Sequence, residues 1–462
     1  MGVDTTHPEY DRAVAKWARA RAVLGGEDAV KAAGERLLPR IASHDAGEYE
    51  AYKKRASFFN ATARTASAFI GMIFRRPPFV KWPGGLKMAR FETDADLLGS
   101  TLAEYCREVM SEVIGLGRCG TLIDWEETQE RPHCVRYRAE DILNWRVERV
   151  AGKMRATLIV LREEVRSARN QDIFDNQTEE QCRVLELHPE GYLARIYRKS
   201  QGQWRQLQAH FPGRHGKPLP AIPFVFHGAR DSRATVGPVP LDDVIAVNLD
   251  HYRLDAEYKH GLHYTALPTL FAVGFQHEGT LNVGSASAWV SENPDARAGF
   301  LEFHGHGLTS YERALEIDER RLAVLGSRLL EPQKRQPETA EALQIRTSGE
   351  ESVLEAIAGA GSRALTDVLR WVAWWSSREN LVSPEDLPEE AILLKLNEDF
   401  GTAGLSAQDL EALVAAWQAR AISQDTMLEA FRKGEVLPEG RTNAEEIKLL
   451  SNATATTPEE QA

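Results

Sequence analysis

PLDDVIAVNLDHYRLDAEYKHGLHY, residues 240–264, follows a long tract of short strands and restores a helical period. Proline opens it, with Asp242 and Asp243 beside it. That is the signature of a helix N-terminus, where a missing N–H leaves no bond broken and carboxylates meet the positive end of the helix dipole. The spacing predicts a helix over 241–262. Residues 263–307 then hold short strands, Gly and Ser turns and the polar piece VSENPDARAG. Beyond them Leu308, Tyr311, Leu315, Asp318, Leu322, Leu325 and Leu329 recur every three or four residues. This predicts a second helix, 308–330, packed along a helical neighbour, with Asp318 the one misfit in its seam. The turn EPQKRQPET (331–339) leads to a longer helical tract over 340–375, in which the glycines of Gly359-Ala360-Gly361 predict a weak point or kink.

Upstream, the first 50 residues read as helix in pieces, starting near 4–7 and interrupted at Gly25, Gly26 and Pro39. From Glu48 the residues Tyr52, Phe59, Ala63, Ala66, Ile70 and Ile73 share a helical stripe, which Pro77 and Pro78 stop. LAEYCREVMSEVIGLG gives a short amphipathic helix with Leu102, Cys106, Val109, Val113 and Leu116 on one side and Gly117 as terminator. CGTLIDWEE, ATLIVLREEV, CRVLELH, YLARIYRK and IPFVFHG read as strands. Downstream, two short helices are expected in LSAQDLEALVAAWQARAISQDTMLEAF, followed by a loose polar end.

At 462 residues the chain is long enough for two or three domains, and 43% apolar with 27% charged residues marks a folded protein. The formal charge of −12 opposes tight DNA wrapping, which needs dense Lys and Arg. Most of the excess is local. From Glu379 onward 17 acids face 6 bases, a net of −11. The four cysteines, Cys106, Cys119, Cys134 and Cys182, have no CxxC spacing and follow no leader-like segment, so they read as reduced and mostly buried in a cytoplasmic chain. No apolar run approaches the roughly 20 residues that cross a bilayer.

Motifs that could carry chemistry are weak. GLGRCG, residues 115–120, matches GxGxxG, but a helix precedes it and a strand follows, the reverse of a dinucleotide site. It reads as a helix terminator feeding a strand. His260 with His263, and His304 with His306, offer imidazoles without an adjacent ligand at metal spacing. Asp242 with Asp243 and Glu126 with Glu127 read as solvated charges rather than an acid and base pair. GxSxG and GxxxxGK are absent. Trp371, Trp374 and Trp375 have no basic track beside them, so helix packing is the expectation. Arg75 and Arg76 end a helix, with Lys81, Lys87 and Arg90 close behind. They read as helix-end caps or as contacts to nucleic acid or protein.

YKKRASFFNATARTASAFIGMIFRRPP, VIGLGRCGTLIDWEE, PVPLDDVIAVNLDHYRLDAEYKHGLHYTALPTLFAVG, ETAEALQIRTSGEESVLEAI and GLSAQDLEALVAAWQARAISQDTMLEAFRKG follow one another in that order. As an ordered set, spanning about Tyr49 to Leu437, they resemble the portal proteins of tailed phages, in the group known only as an uncharacterised phage domain. The resemblance implies an α+β portal fold. After an N-terminal helical segment (1–48) it places an α/β wing at 49–237, stem helices at 238–262 and 308–330, and a small clip at 263–307. A channel loop at 331–339, a long kinked helix at 340–378, a helical crown region at 379–450 and a flexible tail at 451–462 complete it.

It also implies a structural protein rather than an enzyme, with no cofactor and no metal. Such a protein is a homo-oligomeric ring, commonly a dodecamer, at one vertex of the virion capsid, assembled in host cytoplasm and not in a membrane. Double-stranded DNA would pass through it, weakly and non-specifically held. Terminase large subunit, a head-completion or adaptor protein, and major capsid or scaffold protein would be its partners. On this reading Lys334 and Arg335 are the channel-loop candidates for DNA contact, and Arg75 and Arg76 the candidates for helix-end or inter-subunit contact. The alternatives are another capsid-associated adaptor or assembly protein, and a metal-dependent nuclease.

Overall fold

The computed structural model describes residues 2–84, 86–167, 174, 176–200, 202–266, 269–275, 292–301, 307–328, 352–377, 381–398, 400, 407–433, 436–437 and 442–454. The chain forms two compact units, Met1–Leu396 and Asn397–Ala462.

The first unit opens with α1 (Pro8–Leu24), α2 (Glu27–Ala32), α3 (Ala46–Arg55) and α4 (Ala61–Ile73). Strand β1 (Phe79–Lys81) and α5 (Ala89–Thr93) lead to α6 (Leu102–Leu116). The β region follows, with β2 (Arg118–Glu126), β3 (Arg131–Arg138), β4 (Ile142–Val150), β5 (Lys153–Arg166), β6 (Thr178–His188), β7 (Gly191–Ser200), β8 (Gln203–His210), β9 (Gly213–Arg214), β10 (Lys217–Pro218) and β11 (Phe224–Gly228). Then come α7 (Asp242–Ala266), β12 (Thr269–Val273), β13 (Arg297–Leu301), α8 (Leu308–Arg328), α9 (Val353–Ser376) and β14 (Leu393–Lys395). Among the described residues all the strand pairs are antiparallel. The fold is therefore a mixed α+β arrangement of helices and antiparallel sheet.

Helix starts are encoded locally. Asp45 with Glu48, Thr101 with Glu104 and Ser352 with Glu355 form reciprocal capping boxes that satisfy free N–H groups at the first turns of α3, α6 and α9. His7 caps α1 with its ring, and Pro8 supplies the preset φ of a first turn. The stripe expected to run unbroken from Glu48 is interrupted. Ala56 is extended and Asn60 caps a new helix, so 56–60 link two helices, and Phe59 is exposed rather than packed. Thr62, Phe69, Ile70 and Ile73 form the buried side of α4.

The α6 face is buried as expected, and Gly117 ends it in the left-handed conformation at φ 79°. Its chain then enters β2, the middle strand of the three-stranded sheet β11-β2-β3. A five-stranded meander, β4 through β8 in sequence order, lies beside it. Ala151 and Gly152, both at positive φ, close β4 onto β5 in the two-residue turn whose twist matches paired strands. Glu163 of the meander accepts hydrogen bonds from Tyr137, Gln181 and Arg183, and Arg183 also reaches Asp124 at 3.3 Å. This network ties the two sheets together.

The N-terminal helices are part of the same core. Trp17, Ala20 and Val23 are buried, and Arg21 forks onto Glu112 of α6 at 2.8 and 2.9 Å and onto Glu140 at 2.9 and 3.0 Å. All four cysteines are buried free thiols, and burial pushes each of them up, Cys106 and Cys182 to about 12.

Three expectations along the later chain need correcting. Helix α7 continues to Ala266, one turn past 262, so His260 lies inside it and His263 in its last turn. Gly359 and Gly361 do not break α9, which runs uninterrupted from Val353, while Ser352 ahead of it is extended. Gly361 is small for packing reasons, because a β-carbon there would come within 2.4 Å of Met110 Sδ. The segment after α9 stays with the first unit, since β14 pairs with β1, and the second unit begins at Asn397 rather than at 379. That unit contains α10 (Ala407–Gln418), α11 (Gln424–Lys433) and α12 (Asn443–Thr454). Helix α12 was not anticipated. Its apolar positions are few and its start is set by Thr442 and Glu445, which bond each other's backbone N–H groups.

Candidate functional site: a helical hairpin and its β-ribbon

The first half of α7 is built into the core. Val244, Ile245, Asn248, Leu249, His251, Tyr252 and Ala256 are buried, and Asn248 Oδ1 accepts from both the N–H and the hydroxyl of Thr62 while its Nδ2 donates to Phe59 O at 2.7 Å. Asp255 accepts from Ser57 N at 2.7 Å, and Arg253 Nε donates to Leu37 O at 3.0 Å. These bonds fix upstream residues against the helix, and at buried Asn248 an unmet bond would cost roughly 1–3 kcal/mol.

The second half of α7 pairs with α8. Gly261 faces Leu308, whose methyl group would lie 2.8 Å from a β-carbon at 261. Tyr258 donates to Glu312 at 2.7 Å, and His251 stands 3.7 Å from Glu319. Pairing positions fall in one helix as they rise in the other, so the two are antiparallel. Leu308, Tyr311, Leu315, Asp318, Leu322 and Leu325 are the less exposed face of α8, which makes the anticipated seam real and its neighbour a helix of the same chain. Asp318 is buried in it at 5% exposure, with its carboxylate held by Arg321 at 3.2 Å.

Between the helices β12 and β13 form a two-stranded ribbon, with Phe271 opposite Gly299 and Leu270 opposite Phe300. Successive residues of a strand point to opposite faces, so Phe271 with Val273 and Phe300 lie on different sides. All three are exposed, at 43, 62 and 58%. Leu262, Tyr264, Ile317 and Val324 add exposed apolar surface on the helices. A two-stranded ribbon is marginally stable in water by itself, and apolar groups on both of its faces are the mark of a surface that meets a partner.

Other sequence candidates fall into place. GLGRCG is a helix terminator feeding β2, and Gly120 is small because a β-carbon would lie 2.2 Å from the Phe224 ring. Trp374 and Trp375 are buried. Trp374 Nε1 donates to Leu381 O at 3.1 Å, and Trp375 stacks on Trp125 at 6.2 Å between centroids. Arg75 is exposed and Arg76 half-buried at the end of α4, whose last carbonyls already receive the N–H groups of Phe74 and Arg75. Lys334, Arg335, His304 and His306 lie outside the described residues.

A cleft of about 690 Å³ opens between β4, β5, β11 and α9, lined by Met154, Phe226, Asp367 and Trp371. Burial raises the Asp367 carboxyl, with Arg370 opposing. Among the described residues no group of three His, Cys, Asp or Glu is arranged to hold a metal, and no helix is long and apolar enough to cross a membrane.

Sequence reading did not find a cluster of rings at the junction of α3 and α7, where His44 and His260 meet at 3.3 Å beside Arg55. More than 200 residues separate its members along the chain, and no local pattern marks them.

A family model described as a domain of unknown function (DUF4055) matches residues 240–376, the span of this hairpin, its ribbon and α9. No curated protein matches the chain. Among solved structures, the chain is similar to one from the "Neck of native GTA particle computed with C12 symmetry", at 12% identity and TM-score 0.38 over 79% of this chain and 88% of that one. It is also similar to one from the "Virion of native gene transfer agent (GTA) particle", at 12% identity and TM-score 0.37 over 87% of this chain and 97% of that one.

Proposed function

We propose that this chain is a portal subunit, one copy in a ring at the capsid vertex through which double-stranded DNA enters and leaves. The observation that carries the reading is the antiparallel pair α7 and α8 joined by a ribbon with Phe271, Val273 and Phe300 exposed on its faces. A folded chain that leaves such a ribbon uncovered is suited to assembly with further copies. The ordered set of sequence phrases that resembles phage portals supports the same reading, with the hairpin as stem and the ribbon as clip. The net charge of −12 suits a conduit, because an acidic surface does not hold phosphate and leaves the duplex free to slide. Terminase and head-completion proteins are the partners that this role requires, and a dodecamer is the ring it favours.

Negative-stain imaging and native mass spectrometry of the full-length protein at several salt concentrations test the reading. Rings with a channel wide enough for duplex DNA are expected, and monomers persisting under every condition would overturn it. Lys334 and Arg335 are proposed as transient phosphate contacts. Changing both to Ala should lower packaged DNA per procapsid, and unchanged packaging and retention would remove that role. Arg75 and Arg76 are proposed to touch the neighbouring subunit, so charge reversal at both should weaken the ring.

A further inference from the structure

The ring cluster at the junction of α3 and α7 has a defined hydrogen-bond polarity. Arg55 Nη2 lies 3.2 Å from His260 Nδ1, and a guanidinium can only donate. His260 Nδ1 is therefore the acceptor, and its proton sits on Nε2. That atom faces His44 Nε2 at 3.3 Å, so His260 donates and His44 accepts, which puts the His44 proton on Nδ1. His44 Nδ1 is buried and meets no acceptor. The relay runs one way, from Arg55 through His260 to His44, and it works only when both imidazoles are neutral. A proton added to His260 Nδ1 would face the Arg55 N–H groups. One added to His44 Nε2 would face the His260 N–H.

We propose that the Arg55, His260 and His44 relay is a proton-operated latch that holds the loop before α3, and α3 itself, against the C-terminal third of α7. The latch is closed in neutral solution and released when His260 takes up a proton. The surroundings favour this polarity. Tyr52, His263 and Tyr264 pack edge-on around the two imidazoles or beside them. Arg55 adds positive charge, while Glu48 of α3 is the opposing carboxylate at His260. Across the junction, Glu257 of α7 is engaged by Tyr311 of α8, and Glu312 by Tyr258. Those two carboxylates are thereby committed to the hairpin. His260 is held below the usual histidine range, first by burial and then by His44, Arg55 and His263.

Where the latch joins is the informative part. His44 belongs to the loop leading into α3, Arg55 is the last residue of α3, and His260 directly precedes Gly261, the close contact of α7 with Leu308 of α8. Release therefore loosens the anchorage of the paired helices without touching their own contacts. This inference does not depend on the portal reading, because it concerns how the junction is held in the single chain.

Amide hydrogen exchange of the full-length protein, corrected for intrinsic rates, tests it between pH 7.5 and 5.5. In a His227→Gln background, where protection of α6 stays level, protection of residues 44–55 should fall as pH drops below about 6.5, by up to about tenfold for one pH unit. His260→Gln, whose amide can accept from Arg55 or donate to His44 but does not titrate, should flatten the pH response. His44→Gln provides a second variant should the first fold poorly. Protection of 44–55 that is level across this range in the His227→Gln background, or an undiminished pH response in both variants, would overturn the latch.

Discussion

A β-carbon at Gly117 would lie 2.4 Å from the carbonyl oxygen of Pro238, so the end of α6 and the approach to α7 meet with no room for any side chain. Gly117 also holds φ 79°, a conformation that L-residues adopt only with strain. Two independent costs coincide at one residue. Gly117→Ala should destabilise the chain by about 3 kcal/mol, combining left-handed strain with a backbone clash that no rotamer relieves. Urea denaturation of the variant checks this, and a loss under 1 kcal/mol would mean that the backbone shifts freely there.

The core between α6 and the three-stranded sheet holds a short polar chain. Tyr105 Oη and Thr121 Oγ1 are 2.7 Å apart, as are Thr121 Oγ1 and His227 Nε2, and all three residues are buried. Thr121→Val keeps the shape but strips both partners of their bond. A loss of about 2–4 kcal/mol is expected, since two buried groups are left unmet. A double-mutant cycle with Tyr105→Phe should show coupling, and strict additivity would place the hydroxyls in separate interactions.

His227 also sets a pH dependence. Burial alone lowers this imidazole to about 3, whereas in the unfolded chain it returns to about 6.5. Below 6.5 the unfolded state therefore binds the extra proton and the folded state does not. Stability is complete above that pH and should fall by about 1.4 kcal/mol per unit as pH drops towards 3. The wild type and His227→Gln should differ in that slope by the same amount in chemical denaturation at pH 7.5, 6 and 5. Parallel slopes would show that the imidazole is not kept neutral.

Surface changes on the ribbon separate assembly from folding. Phe271→Glu with Phe300→Glu should abolish rings while shifting the melting temperature of the monomer little, because both rings are more than 40% exposed. Size-exclusion chromatography with light scattering reads the first effect and calorimetry the second. Intact rings in this variant would remove the ribbon from the assembly surface.

Much of the fold was legible in local pattern. The buried stripe of α6, the Gly117 terminator, the strands β2, β5, β6, β7 and β11 and the α8 seam follow from spacing and cap chemistry that act within a few residues. Where reading by period failed, a packing partner outside the window decided. The apolar spacing from Tyr52 to Ile73 looked continuous, yet Asp255 captures Ser57 N and Asn248 captures Thr62, and these contacts from α7 hold the chain in a link between α3 and α4. Gly359 and Gly361 read as a weak point or kink because glycine is costly inside a helix, and only the packing shows that Gly361 makes room for Met110.

The sequence by itself determined the capped helix starts and the stripes of α6 and α8, because caps, turns and hydrophobic period are short-range chemistry. It also determined the acidity that disfavours tight DNA binding, which is a sum over side chains. Only the tertiary structure decided which distant groups meet. Arg55 and His260, more than 200 residues apart, acquire a shared proton order, and Phe271 and Phe300 become an exposed ribbon rather than core. Side-chain contact across such separations depends on how helices and sheets pack, and periodicity along a chain carries no record of that.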